Sequence, residues 1–354
     1  MISIKKISVI FFFIVCSLSA ISFKDSQGLT SASYFACHNL TDSLNLKPAL
    51  PPVKLSSGEK FYKNISYSKY KEDVFDIFLP NSKQPSALVL YIHGGGFISG
   101  DKNIPYKGDG RLISQLLLKN IAFASVNYRF VSDDGMGIFK CMNDSKRALQ
   151  FIRFHSKIFN IDKNNVVLMG GSAGAGTSLW IGLSDEMADK KNPDPILRES
   201  TRVKGLVLKE TQANYDILSW PETVYQEYKD VDQKFIINLA SEEEILRFYG
   251  LKTIDNINSE AVNKYRSKFN MLNLLSSDDP EIYAENIVRP YVKPVNRGVL
   301  LHHPAHIKAL MDKANEMHVK GEFYAPKMNI DTRGGENRED FIYRVLHKNF
   351  ISEK

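Results

Sequence analysis

Cysteine is scarce in this chain of 354 residues: there are three, Cys16, Cys37 and Cys141. That is too few for a disulfide-stapled scaffold, so the fold must rest on a packed core. If Cys16 leaves with an N-terminal leader, Cys37 and Cys141 remain, able to pair in an oxidising compartment or to stay as separate thiols. Clustered positive charge is also missing. The formal charge of +6 is spread over scattered lysines and arginines, with no arginine-rich stripe and no interleaved aromatic platform, which argues against a nucleic-acid partner. After the first 22 residues no apolar run is long enough to cross a bilayer, so no stable membrane insertion is expected of the remainder. Internal repeats and low-complexity tracts are absent as well. What is present, 43% apolar and 24% charged residues, suits a globular protein that buries a substantial core.

The first 22 residues differ from all that follow. Lys5 and Lys6 precede an apolar run from Ile7 to Val15, and Ser17-Leu18-Ser19-Ala20-Ile21-Ser22 supplies small residues at cleavage spacing. This is the pattern of a secretory signal peptide cleaved around Ser19 to Ser22. Its removal takes two lysines and lowers the formal charge from +6 to +4. Phe13, Ile14 and Val15 are too bulky for a lipoprotein cleavage box before Cys16, so the expectation is an exported (periplasmic or extracellular) protein, with 23–354 as its domain. Residues 23–55, with Pro48, Pro51 and Pro52 near their end, lack periodicity and read as an extended lead-in.

Beyond the lead-in, apolar strands alternate with amphipathic helices. Strands are expected at 61–70, 74–79, 87–92, 121–128, 166–169, 205–208, 281–287 and 322–325, and helices at 111–118, 141–159, 303–317 and 341–350. Such alternation implies an α/β domain built on a mainly parallel sheet with helices on both faces. Residues 212–280 interrupt it with helical spacing and the aromatics Trp220, Tyr225, Tyr228, Phe235, Phe248 and Tyr249. This cap-like insertion either covers the sheet's C-terminal edge or lies to one side of it.

Two glycine-rich turns carry the chemistry. Val166 to Met169 runs into Gly170-Gly171-Ser172-Ala173-Gly174, a G-x-S-x-G turn, and an amphipathic run with Leu179, Trp180 and Leu183 follows. A strand, a sharp turn and a helix in that order expose the serine hydroxyl, and glycine neighbours leave room for it. Upstream, the apolar strand Val89–Ile92 ends in His93-Gly94-Gly95-Gly96-Phe97. Backbone N–H groups of such a loop can hold the oxyanion of a tetrahedral intermediate.

Together with Val126-Asn127-Tyr128-Arg129, Asp279-Pro280 and His302-His303-Pro304, these motifs resemble the carboxylesterases of the hormone-sensitive-lipase type and the related secreted acetyl- and feruloyl-esterase-like hydrolases, over roughly residues 60–350. The resemblance implies a three-layer α/β-hydrolase fold and hydrolysis of a small carboxylic ester with a short acyl group, without metal or organic cofactor. It implies Ser172 as nucleophile and the N–H groups of Gly94, Gly95 and Ala173 as oxyanion hole. It also calls for an acid after the strand at 281–287 and a histidine after the strand at 322–325. The sequence departs from this: no Asp or Glu lies between Val288 and Leu301, and no histidine between Pro326 and Arg338. The first loop ends in His302 and His303 instead, and the second offers Asp331. One arrangement exchanges the roles, with His302 or His303 as base and Asp331 as its orienter, which a triad defined by geometry permits. In the other, both histidines merely open the next helix and leave Ser172 without a conventional base; the rival function is then a catalytically impaired or inactive relative that binds or scaffolds.

Overall fold

The apolar run Ser86–Ile92 forms a strand, β3, whose every residue is buried. Around it the computed structural model describes residues 44, 46–132, 134–287 and 289–347. The expected signal peptide, Cys37, most of the lead-in and the last residues of the final helix lie outside the described residues. Lys47–Lys354 forms one compact unit; of the other, Met1–Leu46, only Leu44 and Leu46 are described.

Eight more strands join β3: β1 (Lys60–Ser66), β2 (Val74–Leu79), β4 (Ile121–Val126), β5 (Ile161–Gly171), β6 (Gly205–Lys209), β7 (Glu281–Glu285), β8 (Gly321–Ala325) and β9 (Ile330–Asp331). Their order across the sheet is β1-β2-β4-β3-β5-β6-β7-β8-β9. From β4 to β8 the strands run parallel, while β1, β2 and β9 pair antiparallel at the two margins. Central parallel strands are covered on both sides, which is why they read as continuous apolar runs.

Alternation along the strands assigns each face its helices. Val89, Tyr91, Phe123, Val167, Met169, Val207 and Tyr283 pack with Leu112, Ile113 and Leu116 of the helix Gly110–Leu118 and with Phe341, Ile342 and Val345 of the helix Arg338–His347. Leu206 points the other way, against the helix Ala173–Leu183, where a Cβ on Gly182 would come within 2.6 Å of its side chain. Helices therefore lie on both faces, in three layers.

Several elements differ from expectation, each for a local reason. The long helix at 141–159 is two, Phe139–Phe154 and Ser156–Phe159, because His155 leaves the helix at ψ 18° with its N–H closing onto Phe151 O. The helix expected from His303 begins at Ala305, since Pro304 disfavours helical backbone in the residue before it, and a short helix Arg297–Leu301 precedes it. β5 starts at Ile161 because its first half carries polar Asp162 to Asn165, invisible to a search for apolar runs. Cys141 is a buried free thiol, its pKa pushed up to about 12 by burial. Among the described residues no helix is long and apolar enough to cross a membrane.

Candidate active site

The turn after β5 is closed by contacts that leave no space for side chains. A Cβ on Gly170 would overlap the Gly174 backbone, and one on Gly174 would overlap Ile92 O at the end of β3. Between them Ser172 sits at φ 50°, ψ −121°, a conformation that residues with a side chain rarely adopt. It is held there from both sides. Ser172 N–H donates to Lys209 O at 2.9 Å, and Gly176 N–H to Ser172 O at 3.0 Å. The glycine-rich loop after β3 rests on this turn, because Gly94 approaches it so closely that a Cβ would lie 2.6 Å from Gly171 O.

His302, at the end of the short helix Arg297–Leu301, meets the serine: its Nε2 is 2.7 Å from Ser172 Oγ. Its Nδ1 lies 3.1 Å from Gly298 O. A carbonyl can only accept, so Nδ1 carries the proton and Nε2 turns its lone pair to the hydroxyl. Neighbouring side chains fix the backbone beneath the imidazole. Asn286 Nδ2 donates to His302 O at 2.7 Å, Gln212 Nε2 to Leu301 O at 2.6 Å, and Tyr225 O–H to Leu300 O. Burial lowers the His302 pKa below the ordinary imidazole value; the Gly298 carbonyl and the Glu210 carboxylate pull it back up, while Arg289 and Arg297 add to the lowering.

Two of the candidates do not join this pair. His303 is fully buried with both nitrogens engaged, Nε2 at 2.9 Å from Val292 O and Nδ1 accepting Ala305 N–H at 3.0 Å. It takes up the first N–H of the helix Ala305–Glu316 and has no free nitrogen for a serine. Asp331 does not serve as the orienter of His302 either. It lies in β9, four strands from β5, roughly 19 Å across the sheet at ordinary strand spacing. Its carboxylate is held by Arg333, whose Nε and Nη2 each donate at 2.9 Å. The chain after β8 turns back to pair as β9 instead of reaching toward Ser172. Glu210, which the sequence reading passed over, directly follows β6 at φ 50°, with its carboxylate 3.5 Å from Arg289 Nε. The signal that could have found it is its place at the end of the strand beside β5.

The loop His93–Phe97 turns through left-handed backbone, with Gly95 at φ 111° and Gly96 at φ 61°. His93 braces it: the ring stacks on Tyr128 with centroids 4.3 Å apart, and Nδ1 lies 2.6 Å from Gly94 O. Tyr128 O–H in turn donates to His93 O at 2.8 Å. Among the described residues the N–H groups of Gly94, Gly95 and Ala173 make no hydrogen bond to another protein group.

Ser172 opens into a cavity of about 70 Å³. With a water needing about 10–15 Å³ on the same measure, that is room for a short chain of atoms. Buried Tyr215, Ile217, Trp220, Ala240 and Ile245 form its floor, and all five belong to the insertion between β6 and β7. Five residues of the insertion thus line the cavity beside Ser172. Ile98, Glu244, Arg247 and Arg297, all partly exposed, stand at the rim.

Comparison with known proteins shows which family this chain belongs to. Residues 75–306 match the BD-FAE family, a span that takes in the glycine loop, Ser172 and His302 but stops short of Asp331. A protein of Arabidopsis thaliana named probable isoprenylcysteine alpha-carbonyl methylesterase is 30% identical over 115 residues, 32% of this chain. The chain spans only 23% of that relative's length. Among solved structures, a truncated carbohydrate esterase from gut microbiota superposes with a TM-score of 0.58 at 16% identity, over 85% of this chain and 99% of that one. Esterase B from Lactobacillus rhamnosis, in an inhibited form, gives 0.55 at 13% identity, over 90% and 95%. At such identities the structural likeness speaks for the fold alone, and it is the match over 75–306 that establishes kinship. The chain is an α/β-hydrolase of the carboxylesterase type and belongs to the BD-FAE family.

Proposed function

We propose that the chain is a serine hydrolase of carboxylic esters with a short acyl group, working through an acyl-enzyme on Ser172. The observation that carries this reading is the 2.7 Å contact between Ser172 Oγ and His302 Nε2 on a strained turn facing an apolar cavity. His302 takes the serine proton as Oγ attacks the ester carbon, then gives it to the departing alcohol oxygen. The developing oxyanion turns to the free N–H groups of the glycine loop and Ala173. Water repeats the sequence on the acyl-enzyme, with His302 again as base. The orienting partner of the imidazole is a backbone carbonyl, Gly298 O, in place of a carboxylate. No metal or organic cofactor is needed for these steps.

That missing carboxylate is also what favours the rival reading, a binding or scaffolding relative with a silent serine. Labelling with a fluorophosphonate probe separates the two. Wild-type protein should label, and Ser172→Ala and His302→Ala should not. Absence of labelling in the wild type would favour the scaffold. We further propose export, on the strength of Lys5, Lys6 and the apolar run Ile7–Val15. Intact mass of protein secreted by its host should give an N-terminus near Ser19 to Ser22, and a retained Met1 would refute it.

A further inference from the structure

The rim of the cavity is charged where its floor is not, and the geometry indicates which half of an ester meets it. The leaving oxygen must take its proton from His302 Nε2, so the alcohol part lies on the His302 side of Ser172 while the acyl part enters the apolar floor. Arg297 stands beside Gly298, whose carbonyl holds His302 Nδ1. From there its Nη2 reaches the glycine loop, 3.5 Å from where a Cβ would sit on Gly96. The guanidinium thus lies against the glycine loop and lines the cavity that Ser172 opens into. Arg247 adds a second guanidinium to the same rim.

The present partner of Arg297 is itself a carboxylate, Glu244 from the capping insertion. The two side chains are 43% and 34% exposed, and an ion pair so open to water is weak enough to exchange one carboxylate for another. Glu244 also lies in the first turn of the helix Glu242–Tyr249, where the helix dipole favours a negative charge even after Arg297 lets go. We propose that Arg297 is a specificity-determining residue that selects esters whose alcohol part bears a carboxylate, the substrate displacing Glu244 from the guanidinium. This rests on the esterase reading above.

The test compares 4-acetoxybenzoate with its neutral isostere 4-acetoxybenzamide, each kcat/KM divided by the spontaneous hydrolysis rate, in the full chain at low salt. Wild type should prefer the anion. Arg297→Gln should lower the anion-to-neutral ratio by about tenfold, the scale of a charge-assisted hydrogen bond. Arg297→Lys should retain part of the preference. Glu244→Gln should move the ratio the opposite way, upward, because it removes the internal competitor. The ratio is internal to each variant, so partial misfolding cancels from it. A ratio unchanged in both Arg297→Gln and Glu244→Gln, or lowered in both, overturns the proposal and leaves a purely structural ion pair. Hydrolysis of neither ester by wild type removes the esterase reading and this inference together, whereas hydrolysis of both without charge preference removes the inference alone.

Discussion

At Ser172 the backbone holds φ 50°, ψ −121°, a conformation that costs a residue with a side chain about 1–3 kcal/mol. Glycine adopts it without that penalty, so Ser172→Gly should raise the thermal midpoint while abolishing ester hydrolysis. A midpoint at or below wild type would mean that the turn is not strained. The proposed base beside it has a signature of its own. His302 accepts a proton only when neutral, and burial lowers its pKa below 6.5. The midpoint of the acid limb should therefore lie below pH 6.5, the ordinary imidazole value. Glu210→Gln removes a carboxylate that favours the imidazolium, so the acid limb of kcat/KM should shift to still lower pH. A shift upward would mean that Glu210 does not act on His302. Ser172 and the glycine loop were legible in the sequence because their geometry is local, set by glycines within a few residues. His302 was legible only as one of two neighbours at the correct sheet edge. Asp331 was misread because distance across a sheet is not written in the order of the chain.

The loop between β7 and His302, where the resemblance calls for an acid, is used instead to tie down the insertion. Tyr291 O–H donates to Glu227, Lys293 pairs with Asp230 and Arg297 with Glu244. Lys293 also lies over the Phe235 ring at 4.8 Å, and His303 holds Val292 O. The tyrosine bond and the ion pairs are exposed, and such pairs contribute little singly. The insertion is held from within by Trp220, fully buried, its Nε1 donating to Asn214 O at 3.1 Å and its ring 4.7 Å from that of His306. Trp220→Ala should accordingly cost about 3–5 kcal/mol in a urea titration. Asp230→Asn should leave the midpoint where it is. The reverse result would mean that the loop, not the aromatic core, anchors the cap. Spacing alone revealed the insertion's helices and its aromatics. Whether they cover Ser172 depended on contacts such as Tyr215 O–H to Ala173 O, which join residues 42 positions apart.

Across the whole molecule, the alternation of strand and helix was enough to give the architecture, because continuous apolar strands have few other ways to be buried. Alternation carries no information on how buried polar groups are shared out, and that governs the response to pH. Burial lowers the pKa of His93, His155 and His302, takes His303 to about 4 and His306 to about 3. Below pH 6.5 an unfolded chain protonates these imidazoles while the folded one does not, so their contribution to stability is complete above 6.5 and drains away as pH falls toward 4 and 3. Three carboxylates work the other way. Burial raises Asp279 to about 6 and raises Asp73 and Glu322 as well, so each takes up its proton in the fold before it would in the unfolded chain, adding stability between pH 6 and 4. The shifts of His303 and His306 are larger than that of Asp279, and three further histidines act with them. The thermal midpoint should therefore be highest above pH 6.5 and decline steadily to pH 4, and His306→Leu should flatten that slope while lowering the midpoint at every pH. A midpoint that rises on acidification through this window would mean that the three carboxylates dominate the balance.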